Sequence, residues 1–210
     1  MKFPYREIDY LMVMDALKEY SFPRDKITKL LDSGSLSRVK KGLYLWNGLD
    51  EPYSREILAN LIYGPSYLSL EYALSLHGLI PEAAALVTSV ATGRNKSFDT
   101  VAGTFSYQAL PLAYYSPGIS YMAGTSGRGF MVASPAKALF DMLYLKVPRL
   151  REDEFPAYLF DDLRMEVDDV AKVDFSGIRI LVESCPRGSV RALARYLKEG
   201  GDGRITFIPR

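Results

Sequence analysis

Six cations crowd into one short stretch of this sequence. Between Arg24 and Lys41 stand Arg24, Lys26, Lys29, Arg38, Lys40 and Lys41, opposed only by Asp25 and Asp32. That is a local surplus of +4 in a chain of formal net charge +1. The rest of the chain therefore carries a net negative charge, and the surplus belongs to this segment. Clustered lysine and arginine bind phosphate oxygens irrespective of sequence and make that binding salt-sensitive. Thr28 adds a hydroxyl suited to a phosphate or a base edge. We take Arg24, Lys26, Thr28, Lys29, Arg38, Lys40 and Lys41 as candidate DNA-binding residues. Most short lysine-rich stretches are only solvated surface, so the elements that carry these cations decide the matter.

The other chemistry-bearing residues are isolated. The chain has 1 histidine, His77, and 1 cysteine, Cys185. A catalytic triad or a Cys- or multi-His zinc site is hard to build from such a stock. His77 falls at the end of a predicted helix, where a capping or dipole contact is the ordinary role. Cys185 is expected to be a partly buried, inert thiol. Asp161-Asp162 and Asp168-Asp169 lack recognisable ligand spacing and read as a solvated face. The run Gly124-Thr125-Ser126-Gly127-Arg128-Gly129 lacks the Lys-Ser/Thr of a phosphate loop and sits between strands, so a hairpin turn is expected. Of 15 tyrosines, Tyr67, Tyr72 and Tyr107 are spaced as core residues. We expect no catalytic residues, no metal and no cofactor.

The periodicity supplies the elements. Arg6 to Tyr20 has helical spacing in Ile8, Leu11, Met12, Met14 and Leu17. Ser21-Phe22-Pro23 interrupts it, and Pro23 is placed to open a second helix carrying Ile27, Leu30 and Leu31, which stops at Ser33-Gly34. Arg24, Asp25, Thr28 and Lys29 lie off that apolar face. Leu36 to Trp46 predicts two strands reversing at Lys41-Gly42. Two helices followed by a small hairpin is the layout of a winged helix-turn-helix, and it places the cations on the elements that dock on DNA.

Beyond a linker at Asn47–Pro52, Ser54–Tyr63 and Ser69–His77 predict helices. Leu86–Thr92, Gly103–Leu110, Ile119–Ala123 and Gly129–Ala133 predict strands. Ser134-Pro135 predicts a capped helix to about Lys146. Glu152–Asp162, Val167–Asp174 and Val190–Glu199 predict further helices, and Gly200–Gly203 a joint before a short tail. The expected fold is α+β: a winged helix-turn-helix over 1–48, then a larger mixed domain over 53–210 with a mainly helical C-terminal part. No run approaches the ~18 consecutive apolar residues of a membrane span, and Met1–Asp9 lacks the order of a signal peptide. A cytoplasmic protein with no membrane partner is expected.

These segments resemble a known family. Pro23-Arg24-Asp25-Lys26-Ile27 and Arg38-Val39-Lys40-Lys41-Gly42-Leu43-Tyr44 are similar to the winged-helix head of the AbiEi-type antitoxins of type IV toxin–antitoxin systems. The similarity continues through Tyr63 to Leu74, His77-Gly78-Leu79-Ile80-Pro81-Glu82 and Gly103-Thr104-Phe105-Ser106-Tyr107. It closes with Ala133-Ser134-Pro135-Ala136-Lys137-Ala138-Leu139-Phe140-Asp141. The resemblance implies a repressor of its own operon and an antitoxin that counters a nucleotidyltransferase-like toxin through the larger domain. Its partners would be operator DNA and that toxin. Many family members have a further helix ahead of the first two, for which only Met1–Asp9 is left here. The alternatives are a winged-helix protein-interaction module, a transcriptional regulator without a toxin, and an enzyme using Asp161, Asp162 or Asp168 with a metal.

Overall fold

Asp9 decides where the first helix begins. Its carboxylate accepts the Met12 N–H at 2.8 Å, a side-chain N-cap of the kind that satisfies an orphan helix donor. In the computed structural model, which describes residues 2–82, 84–124 and 127–198, residues ahead of that cap are not helical. Glu7–Asp9 form strand β1, and helix α1 spans only Tyr10–Ala16. This corrects the helix expected from Arg6. Ile8 is buried as a strand residue facing Tyr44, while the stripe that α1 buries is Val13, continued by Leu17 just past its end. Leu11, counted with the apolar face, is 75% exposed.

Helix α2, Pro23–Asp32, opens on Pro23, whose missing N–H is no loss at that position. Strands β2, Leu36–Lys40, and β3, Leu43–Trp46, follow, and the small sheet runs β1-β3-β2. Its two faces serve different cores. Ile8, Leu36 and Tyr44 pack with Val13, Leu17 and Ile27 under α1 and α2. Val39, Leu43 and Leu45 join the large core of the rest of the chain. Arg6 fastens the following segment: it donates to the Trp46 and Glu51 carbonyls and to Asn47 Oδ1.

The larger body is mixed α/β. Helix α3, Arg55–Ile62, is capped by Ser54. Strand β4, Ser66–Leu68, leads to helix α4, Leu70–Leu76. Strands β5, Val87–Ala91, β6, Lys96–Thr100, and β7, Gly103–Ala109, precede a short helix α5, Leu112–Tyr115. Strands β8, Ile119–Ala123, and β9, Gly129–Ala133, form a hairpin. The six strands order as β6-β7-β5-β4-β9-β8. Helix α6, Pro135–Leu145, carries a Ser134 cap and is buried along most of its length. The part beyond α6 is helical. Residues 152–162 make a 3-10 turn, a helical turn and a π-helical turn, and Val167–Val170, Arg179–Ser184 and Gly188–Lys198 are α-helical. Helix 167–170 is shorter than expected, while 179–184, β4, β6 and α5 were not expected. The Gly200–Gly203 joint and the tail lie outside the described residues. No helix among the described residues is long and apolar enough to cross a membrane.

At Gly118 both the backbone and the surroundings require glycine. Gly118 has φ +80, and a Cβ there would come within 2.6 Å of Ile178 Cγ2 and 2.7 Å of Lys137 Cβ. Gly118→Ala combines a left-handed backbone with overpacking, and we expect a loss of about 2 kcal/mol. Urea melts at constant slope check it; an unchanged midpoint would mean that the neighbours yield freely.

Candidate nucleic-acid interface

Helix α2 turns one side to the small core through Ile27, with Leu30 and Leu31 half-buried beside it. Arg24, Asp25, Thr28, Lys29 and Asp32 are exposed on the remaining surface. Thr28 donates back to the Arg24 carbonyl at 3.3 Å, which leaves its oxygen at the helix surface. Lys26 is half-buried, and its ammonium lies 5.6 Å from the centre of the Tyr20 ring. Across the hairpin, Arg38 and Lys41 are exposed. Among the described residues, no ion pair engages Arg24, Lys29, Arg38 or Lys41. Four cations on α2 and the hairpin are thus free for an external anion.

Lys40 departs from this set. Its ammonium donates to the Ile62 carbonyl at the end of α3 and lies 5.8 Å from the Phe98 ring centre. The cause is local. The β2–β3 register shifts between Arg38, opposite Tyr44, and Lys40, opposite Leu43, so Val39 is an extra residue. Such a bulge breaks the strict alternation of side chains and re-aims them. Val39 is buried in the large core, and Lys40 is turned onto the body instead of outward. The hairpin end rests on the body; Lys40 leaves the proposed binding surface.

The other chemistry-bearing residues either make contacts within the fold or stand at the surface. His77 does not cap its own helix through its ring; its Nε2 lies 2.7 Å from the Ala133 carbonyl and ties α4 to β9. Ser69 stands at the start of α4, but its hydroxyl donates to Asp141 at 2.7 Å and makes no helix cap. Cys185 is buried, and burial pushes its thiol pKa up. Tyr67, Tyr72 and Tyr107 are buried, and each hydroxyl is bonded, to Asp141, Glu56 and the Ala59 carbonyl respectively. Asp161, Asp162 and Asp168 are exposed, and Asp169 pairs with Lys172 at 2.9 Å. No group of three or more His, Cys, Asp or Glu placed to hold a metal exists among the described residues. Gly124 N–H donates to the Arg128 carbonyl at 2.6 Å, the closure of a hairpin, while Thr125 and Ser126 lie outside the described residues. A cleft of about 600 Å³ does open between the end of α4, β8 and residues 169–177, lined by His77, Ser120, Ser134 and Lys172. Lys172, the lysine in its described lining, is already paired with Asp169.

No protein-family model matches the chain, and no curated protein matches it.

Sequence reasoning missed the fastening of the small sheet to the body. Glu7 is buried, accepts the Ser54 N–H at 2.5 Å, and lies 3.6 Å from Arg128 Nη1. Arg128 also donates to the Glu7 carbonyl at 3.0 Å and stacks on Tyr5. Only an apolar-polar alternation in Glu7-Ile8-Asp9 hinted at a strand there, and three residues are too few to carry it.

Proposed function

We propose that this chain is a winged helix-turn-helix DNA-binding regulator, with residues 1–48 as the head and 53–210 as a partner-binding body. The observation that carries the reading is the set of unpaired, exposed cations Arg24, Lys29, Arg38 and Lys41 on α2 and the hairpin. Helix α2 is 10 residues long, about 15 Å, and its exposed side presents cations and Thr28 together, as a helix entering a major groove requires. The resemblance to AbiEi-type antitoxins extends the proposal to an autorepressor that neutralises a nucleotidyltransferase-like toxin.

The test is a gel-shift titration on the DNA upstream of the gene over a range of salt. Each phosphate contact removed should lower the slope of log affinity against log salt by about 0.9. The triple variant Arg24→Ala, Lys29→Ala, Arg38→Ala is expected to lose between two and three units of slope, at about 0.9 per contact. Lys40→Ala is expected to leave the slope unchanged, because its ammonium is engaged on the body. A triple variant that binds as wild type sinks the interface.

One observation favours a second reading. The hairpin buries Val39, Leu43 and Leu45 against the body and does not project freely. That suits a protein-interaction module whose head is a fixed part of a docking surface. It predicts a stable complex with a protein partner and no salt-dependent DNA binding by the wild type.

A further inference from the structure

The six-stranded sheet ends in two edges that differ in kind. Edge β6 reads Lys-Ser-Phe-Asp-Thr, with Lys96 exposed, and charges of this sort guard an edge against pairing. Edge β8 lies in Gly118-Ile119-Ser120-Tyr121-Met122-Ala123-Gly124, which contains no charge and no proline. The hairpin's own bonds show which way the β8 backbone points. Ser134 N–H donates to the Gly118 carbonyl, and Gly124 N–H to the Arg128 carbonyl. In an antiparallel pair these bonds recur at every second residue, so Ser120 and Met122 bond β9. Tyr121 and Ala123 direct their N–H and C=O groups away from the sheet, where β8 has no further strand beside it among the described residues. Tyr121 is 65% exposed, and Met131 opposite it on β9 is 40% exposed.

We propose that β8 pairs antiparallel with β8 of a second copy of this chain, about a two-fold axis at Tyr121. This register brings all five strand residues into the pair. The two Tyr121 residues exchange two hydrogen bonds, and each Ala123 N–H donates to the Ile119 carbonyl of the other copy. A two-fold pairing needs a self-complementary patch. An uncharged edge meets its own copy without repulsion, whereas like charges directly opposite would oppose it. The ribbon is small against the ~1,200 Å² of a stable interface, so the dimer forms reversibly and at high concentration. The pairing does not depend on the DNA-binding reading, and its test contains no DNA.

Sedimentation velocity of the full chain from about 1 to 200 μM, a range set by the small interface, should show monomer giving way to dimer. Ala123→Pro removes an outward donor while leaving the β9 ladder intact, and should hold the chain monomeric across the range. Tyr121→Lys and Tyr121→Glu each place like charges opposite one another and should be monomeric alone. Mixed in equal amounts they should dimerise, which no other register and no other surface explains. Circular dichroism confirms that each variant is folded, and Ala123→Pro stands should Tyr121 prove needed for folding. A wild type that stays monomeric at the top concentration, or a dimer indifferent to all three substitutions, overturns the proposal.

Discussion

Asp141→Ala is expected to destabilise the fold by about 3–5 kcal/mol, the cost typical of leaving a buried ion without its partner. Asp141 and Lys137 are both 0% exposed. The Lys137 ammonium donates to Asp141 Oδ1 at 2.8 Å and to the Tyr114 carbonyl at 2.5 Å. The other carboxylate oxygen accepts from Tyr67 at 2.8 Å and Ser69 at 2.7 Å. Burial pushes the Asp141 carboxyl pKa up and the Lys137 ammonium pKa down, and their mutual attraction opposes both shifts. Alanine at 141 leaves an ammonium in the core and two hydroxyls without an acceptor. The paired change Lys137→Met with Asp141→Leu removes both charges and keeps apolar volume, so it should recover the part of the loss due to the stranded ammonium, while the Tyr67 and Ser69 hydroxyls still lack their acceptor. Urea melts of the three proteins decide it. If the double variant is as unstable as Asp141→Ala, the lost acceptor of Tyr67 and Ser69, and not the uncompensated charge, carries the cost.

Glu7→Ala is the second large effect, expected at about 2–3 kcal/mol from an unsatisfied donor and a weakened ion contact. Its carboxylate is the acceptor for the Ser54 N–H and the counter-charge of Arg128. Arg128 side-chain exposure is 25% against 3% for Glu7, so water softens the loss on the arginine side. Arg128→Ala should accordingly cost less. Glu7→Gln keeps an acceptor for Ser54 and should fall between. Because Glu7 joins β1 to the start of α3, its loss should also speed proteolysis within 47–52, between β3 and α3. Equal cleavage rates for Glu7→Ala and wild type would show that the apolar contacts of Val39, Leu43 and Leu45 hold the two parts together unaided.

Elements with a strong local signal were legible. Pro23 and Ser134-Pro135 marked helix starts, Lys41-Gly42 marked a reversal, and the β-prone runs that became β5, β7, β8 and β9 fell within a residue or so of their observed ends. Short elements were not. β4 has 3 residues and α5 has 4, little more than one period of the strand or helix pattern and too few to show a repeat. β6 alternates weakly because it is an edge strand with much of its surface in water. Helical spacing from Arg6 starts the first helix too early because Ile8 fits both a helical and a strand pattern. Pairing with Tyr44 and the Asp9 cap, neither visible as periodicity, settled it.

Within the candidate interface, the cations Arg24, Lys29, Arg38 and Lys41 could be counted and placed on their elements from the sequence, since charge clustering and turn residues are local properties. Lys40 could not be told from Lys41. A single bulge at Val39 and the position of Ile62, more than 20 residues away, turned its ammonium inward. Likewise the sequence announces a helix from Pro135 but not that Lys137 and Asp141 face each other with Tyr67, Ser69 and Tyr114 around them. Neighbouring residues alone carried the longer elements, their starts and stops, and where charge accumulates. The tertiary structure alone decided which charges are spent within the molecule and which sheet edge is left open, because both depend on contacts between residues distant in the chain.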